Sequence, residues 1–189
     1  MSRHNDAAKR LFSVLYEDAL AFACLKAVQE VGPDDAYIAA GFVRNRYWDQ
    51  LYDNNKAILA ADIDVIYFDP DDATHNVEHA FEAALSSAVP DQQWQVRNQA
   101  RMHEYGGHSP FKDLNDALMH WPEVATAIGV RMTNDDALEY IAPFGLDDLY
   151  DHVLRITPLV KEKDPSAFEK RLINKGWRKR WPQLRVIRA

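Results

Sequence analysis

The sequence predicts an α/β domain of two or three layers, on three observations. Helix-period and strand-like segments alternate along the chain as helix, strand, helix, strand, helix, strand. The length of 189 residues suits one domain, and 47% hydrophobic with 27% charged residues is an ordinary globular composition, which excludes disorder and low-complexity scaffolds. No internal repeat or flexible linker divides the chain. Residues 1–189 are therefore read as a single domain with flanking helices, carrying a basic C-terminal helical segment over 161–189.

Residues 5–31 read as one long helix, because Leu11, Val14, Leu15, Ala19, Phe22, Leu25 and Val28 recur at three- and four-residue steps. Gly32-Pro33 stops it, since proline cannot extend the hydrogen-bond ladder. Ala36 to Ala40 is a short buried strand that turns at Gly41. The helical stripe returns from Val43 to Tyr52. Asp62 to Phe68, DIDVIYF, is a β-branched and aromatic strand closed by the turn Asp69-Pro70-Asp71-Asp72. A helix follows over Thr74–Ser87, then an alternating strand over Trp94–Gln99. Gly106 to Pro110 is a loop. Ala127–Met132 and Leu138–Ala142 are short strands, and Leu146–Leu154 reads as helical. Asp164 caps a last helix, with Pro165 in its first turn, which runs to Lys175 and ends at Gly176.

No apolar run approaches the roughly 20 residues needed to cross a bilayer. The start lacks the apolar stretch of a secretory signal, and a single cysteine, Cys24, forms neither an internal disulfide nor a cysteine zinc site. A soluble cytoplasmic protein with no membrane partner is expected. The net charge of −7 conceals an asymmetry: residues 161–189 hold ten Lys/Arg against three Asp/Glu, and residues 1–160 hold twelve against twenty-six. Duplex DNA is not an expected partner of so acidic a body, because phosphate contacts need clustered cations. The basic segment either touches an anionic substrate or neutralises the body; charge clusters are usually solvated faces, which favours the second.

Two segments carry the chemistry. In DIDVIYFD, Asp62 and Asp64 are two apart on a strand and project to one side. Carboxylates so crowded repel unless a cation lies between them, and magnesium takes hard oxygen ligands shared with substrate phosphates. A lone DxD is common and by itself reads as a strand entry and a surface acid. Here Ile63, Val65, Ile66 and Tyr67 mark a mostly buried strand, where ionised groups need a partner or a metal. About twenty residues upstream, AYIAAGFVRNRYWDQLY supplies the complement. Gly41 lets a phosphate approach the backbone, the following helix offers free N–H donors, and Arg44 adds a guanidinium.

GFVRNRYWD, DIDVIYFD, WQVRNQARMH, TAIGVR and APFGLDDL together resemble the motif series of a bacterial family of nucleotidyltransferase-like proteins in the polymerase-beta-type superfamily. The resemblance spans roughly residues 10–185. It implies a mixed-sheet nucleotidyltransferase fold, and transfer of a nucleoside monophosphate from a nucleoside triphosphate to an acceptor with magnesium or manganese. The acceptor class, whether small molecule, RNA or protein, is left open. Gly41 matches the turn glycine, and Asp62 and Asp64 match the metal-binding carboxylates. The superfamily's second glycine and serine are replaced by Phe42 and Val43, which leaves Arg44 and Asn45 to supply that triphosphate contact. A third carboxylate has no match. Asn98, on the face of Trp94 and Val96, is the candidate for its place, and Arg97 and Arg101 are candidate triphosphate partners. The alternative is an inactive nucleotide- or partner-binding module of the same fold.

Other clusters carry weaker signals. His75 and His79 have the spacing of a zinc pair but lack a third ligand. His103 and His108 border the glycine loop and are read as solvated. Asp147-Asp148 suits a helix start. The five tryptophans, Cys24, Tyr16, Tyr47 and Phe81 are read as packing residues.

Overall fold

In a computed structural model of the protein, residues 2–52, 62–72 and 74–188 are described. The single helix expected at the start is two, α1 (Ser2–Glu17) and α2 (Ala19–Val31). Asp18 makes the break. It lies at φ −94° and ψ 103°, and one carboxylate oxygen accepts the Ala21 N–H as an N-cap. The other oxygen takes the Arg46 guanidinium at 2.9 Å, so the break also ties the helix pair to the next element.

The chain continues through β1 (Tyr37–Ala39), α3 (Gly41–Gln50), β2 (Ile63–Tyr67), α4 (Asn76–Ala88) and β3 (Trp94–Asn98), close to the expected boundaries. Two short helices follow, α5 (His103–Gly106) and α6 (Leu114–Met119), then β4 (Gly129–Met132) and β5 (Leu138–Ile141). The helix expected over 146–154 lasts only for α7 (Asp147–Tyr150). His152 at φ 56° ends it, and the chain enters β6 (Val153–Arg155). The remainder is α8 (Pro158–Lys163), α9 (Pro165–Asn174), α10 (Trp177–Arg180) and β7 (Arg185–Ile187). Asp164 caps α9 through the Ala167 N–H, as its sequence predicts, and Gly176 at φ 61° turns the chain into α10.

The main sheet has the order β3-β2-β1-β4-β5, with β2 and β3 parallel and the other pairs antiparallel. The strands β6 and β7 form a separate parallel pair. Strand parity divides the sheet. Ile38, Ile63, Val65, Tyr67, Trp94, Val96 and Val130 belong to the large core under the helices of the N-terminal half. Ala39 and Ile66 face a smaller cluster with Leu114, Leu118 and Ala127. Asp64 pairs with Ala39 on one side and Gln95 on the other, which puts it on this second face.

The helix α3 is buried almost all round: Phe42 through Trp48 are buried, including Arg44, Asn45 and Arg46. The C-terminal segment is fastened to it. Trp48 meets Trp181 edge to face at 4.9 Å, and Asp49 accepts both the Trp181 indole N–H and the Arg180 guanidinium.

The turn between β1 and α3 holds Ala40 at φ 56° and ψ −125°, a region that glycine occupies and L side chains rarely do. Ala40→Gly relieves that strain at the expense of a more flexible unfolded chain, for a net gain of about 1 kcal/mol. Urea denaturation of the two proteins measures it; an equal or lower midpoint for the glycine variant removes the claim of strain.

Candidate active site

One cavity of about 460 Å³ opens where β1, β2 and α3 meet the C-terminal helices. Asp62 and Asp64 line one side, and Gly41, Arg44 and Asn45 line the side formed by the start of α3. These five residues, singled out in the sequence, are thus brought to a single cleft. The amides of Gly41, Phe42 and Val43 precede the first intrahelical bond of α3, from Arg44 N–H to the Ala40 carbonyl at 3.3 Å. A Cβ at Gly41 would lie 3.4 Å from Asn45 Nδ2 and 3.6 Å from Arg44 Nη2. The missing side chain is what leaves these polar groups open to the cavity.

Arg44 is 5% exposed. Its Nε and Nη2 donate to Asn45 Oδ1 at 3.2 and 2.9 Å, and its guanidinium carbon lies 4.8 to 5.7 Å from the rings of Trp177, Trp181 and Trp48. Nη1 is buried and makes no hydrogen bond. Loss of solvent pushes the guanidinium down to about 10. Across the cavity, burial and then the neighbouring charge of Asp62 push the Asp64 carboxyl up to about 6, despite opposing fields from Lys175, Arg171 and Arg97.

A cation between Asp62 and Asp64 removes that repulsion. Two hard carboxylates suit magnesium, which commonly takes one or two from the protein and completes its shell with water and substrate phosphate. Among the described residues no group of three His, Cys, Asp or Glu is arranged for a metal ion. The donor set therefore fits a metal shared with a ligand rather than a closed protein site.

Asn98 and Arg97 stand outside this constellation. In the β2–β3 register Asp64 is opposite Gln95, and Asn98 is opposite Tyr67 on the other face. Asn98 is fully buried and ties a loop. Its Oδ1 accepts from Asp69 and Ala100 N–H, and its Nδ2 donates to the Asp69 carbonyl at 2.7 Å and the Asp72 carbonyl at 3.3 Å. The residue beside Asp64 at the cavity is Gln95. Arg97 shares the Asp64 face but folds onto Glu82 at 2.7 Å, and Arg101 binds Glu78 at 2.6 Å. Face parity excludes Asn98, and nearby carboxylates draw off both arginines.

The remaining motifs have structural partners. His75 pairs with Glu78 and His79 with Glu82, one helical turn on in each case, so they form no metal pair with each other. His103 bonds the Ala100 carbonyl, and His108 lies against His120. Asp148 binds Arg155 through both oxygens. Trp121 and Trp177 do reach the cavity wall, as do Arg171, Lys175 and Arg180. The excess of cations over 161–189 was the one sequence signal for that wall, and it carried no position.

The model of a protein family described as nucleotidyltransferase matches residues 26–186. A solution structure described as revealing a CCA-adding enzyme head domain is 31% identical, with a TM-score of 0.81, and the match covers 94% of each chain. A CCA-adding enzyme in complex with CTP is 17% identical at a TM-score of 0.54, over 90% of this chain and 47% of that one. A tRNA-processing enzyme complex is 19% identical at 0.53, over 86% and 42%. The chain thus spans under half the length of these last two, whose likeness is one of fold. No curated protein matches the chain.

Two outcomes follow from the site's electrostatics and register. Asp64 holds its proton more tightly folded than unfolded, so its contribution to stability is present below its ordinary value of 3.8 and is lost as pH rises through about 6. In metal-free buffer Asp64→Asn should therefore be the more stable protein at pH 8, by roughly 1–3 kcal/mol, and equal to the parent near pH 4. Melts that show no gain at pH 8 contradict the burial of this charge. Asn98→Asp should set a carboxylate against two carbonyls and destabilise the fold by roughly 2–4 kcal/mol. Chemical denaturation reads this directly, and a neutral result refutes the loop-tying role.

Proposed function

The chain belongs to the nucleotidyltransferase family, and on that premise we propose that it moves a nucleoside monophosphate from a nucleoside triphosphate to an acceptor in a reaction that needs a divalent metal. The observation that carries the reading is one cavity with the Asp62/Asp64 pair on one side and, on the other, the open start of α3 with an unpartnered, buried Arg44 Nη1. Such a cavity has an acidic side that a cation must neutralise and a basic side that an anion must fill.

In this reading the acceptor hydroxyl oxygen attacks the α-phosphorus and releases its proton to solvent, the bond to the bridging oxygen breaks, and pyrophosphate leaves. Gly41 gives the polyphosphate access to the free amides of the first α3 turn, where N–H donors and the helix dipole favour anions. Arg44 offsets charge on the departing pyrophosphate, and Asn45 Oδ1 holds its Nε–Nη2 edge in place at the cavity wall. Asp62 and Asp64 would hold magnesium or manganese, which supplies Lewis-acid stabilisation of phosphoryl oxygens when bound. The CTP complex of a CCA-adding enzyme supports a nucleoside triphosphate as the donor substrate. The acceptor class stays open among small molecules, RNA and protein, with the tRNA-processing relatives adding weight to RNA.

A second reading, nucleotide binding without turnover, is favoured by one observation. The residue beside Asp64 on β3 is Gln95, whose amide accepts no proton from an acceptor hydroxyl. The two readings separate in a single assay.

Pyrophosphate release from each of the four ribonucleoside triphosphates, with magnesium or with EDTA, is the test. Magnesium-dependent release supports transfer, and it should vanish in Asp62→Asn and Asp64→Asn. Calorimetric binding without release supports the binding module. Arg44→Ala should weaken triphosphate binding by about 1.5–3 kcal/mol, the scale of a hydrogen bond to a charged group, with thermal melts as the control for folding. Triphosphate affinity that is the same in all three variants contradicts the site assignment.

A further inference from the structure

Resting on the reading of this cavity as a phosphate-ligand site, we infer that its α9–α10 side is a built phosphate-binding wall, with Arg171, Lys175 and Arg180 as donors and Glu123 and Asp49 as positioning residues. Each arginine is held the same way. Arg171 places Nε and Nη2 on the two oxygens of Glu123 at 2.6 and 3.1 Å. Arg180 places Nε and Nη2 on the two oxygens of Asp49 at 3.0 and 2.5 Å. Arg44 places the same two nitrogens on the single amide oxygen of Asn45. In all three the Nε–Nη2 edge is occupied and Nη1 has no partner among the described residues, while the residue itself lines the cavity. A guanidinium fixed along one edge presents the rest of its fork in a set direction, which is the geometry that recognises phosphate.

The two carboxylates are themselves immobilised. Glu123 is fully buried and accepts the Thr126 hydroxyl at 2.8 Å, and Asp49 accepts the Trp181 indole N–H at 2.9 Å. Lys175 also lines the cavity, and no carboxylate lies within 4.0 Å of its ammonium among the described residues. The wall acts on Asp64 only through its field, and no described ion pair joins it to Asp62 or Asp64. What remains at the cavity wall is Arg171, Arg180 and Lys175 with donors that no group among the described residues receives, beside the space where a phosphate ligand would lie. The same chemistry fits the β- and γ-phosphates of the donor triphosphate or the phosphate of a phosphorylated acceptor.

The test is titration calorimetry with inorganic pyrophosphate in EDTA, on the full chain. The wild type should bind, and Lys175→Ala, at an exposed position, should weaken binding about tenfold. Arg131→Ala, which removes an equal charge outside the lining of the cavity, should leave the affinity unchanged. Glu123→Gln gives a result that charge alone would not. Removing a negative charge beside an anion site tightens binding if Glu123 acts only through its field, whereas loss of the Arg171 anchor weakens it, and several-fold weakening is expected. Where melting shows that Glu123→Gln has not folded, Lys175→Ala decides. Competition with CTP in EDTA distinguishes the sources: mutual exclusion assigns the wall to the triphosphate's own tail, and simultaneous binding assigns it to an acceptor phosphate. No binding by the wild type, or equal affinity in Lys175→Ala, overturns the wall. Both results are independent of whether metal-dependent transfer occurs.

Discussion

The constraint on which the site depends is the burial of the Arg44 guanidinium. A charge taken out of water in this way is costly unless something restores its lost hydration. Asn45 accepts two of its hydrogen bonds and three indole rings supply a polarisable cage, yet Nη1 is left without a partner. Around this one side chain the fold has to bring α3, the start of α10 and the tryptophan before β7 into contact. Trp177 and Trp181 close over the guanidinium from the C-terminal segment, and Trp48 does so from its own helix. The same contacts that seal Arg44 also set the cavity's far wall.

The acidic side of the cavity has the complementary problem. Asp64 is largely withdrawn from water beside Asp62, and none of the described cations that act on it forms an ion pair with it. The protein thus holds opposite charges across a gap and lets neither side collapse onto the other. Glu123 and Asp49 contribute to that separation, because they fix two arginines by their inner edges and keep them from reaching across. Unmatched charge on both sides of a cleft destabilises a folded protein, and it is characteristic of sites whose partner is a ligand.

The asymmetry of charge along the chain acquires a spatial meaning in this arrangement. The basic segment does neutralise acidic groups of the body, through Arg171 on Glu123 and Arg180 on Asp49. It also faces the cavity with the same residues. The two readings of the charge pattern were set as alternatives, but a bidentate guanidinium can satisfy a carboxylate with one edge and still carry free donors on the other. The side chains that neutralise the body are thus the same ones that line the cavity where we propose a phosphate binds.

Local chemistry determined a good part of this protein. Hydrophobic period located α2, α3, β2, α4 and β3, Asp164-Pro165 marked the start of α9, and the spacing of Asp62 and Asp64 after a glycine turn was enough to identify one side of the cavity, because side-chain direction two residues apart on a strand is a local property. The break at Asp18 escaped detection, since the apolar stripe runs on unbroken through it, although Asp18 caps the second helix through the Ala21 N–H and is held from outside by Arg46. So did β6 and β7, whose three residues each are strands only because they pair with one another. The exchange of Asn98 for Gln95 beside Asp64 was decided by register: alternation showed which residues of β3 share a face, but which face meets the cavity depends on how β3 aligns with β2. The cationic wall was beyond the sequence for the same reason. That Lys175 stands opposite Asp64, more than a hundred positions away, is a consequence of chain packing, and packing between distant segments leaves no periodic trace in either of them.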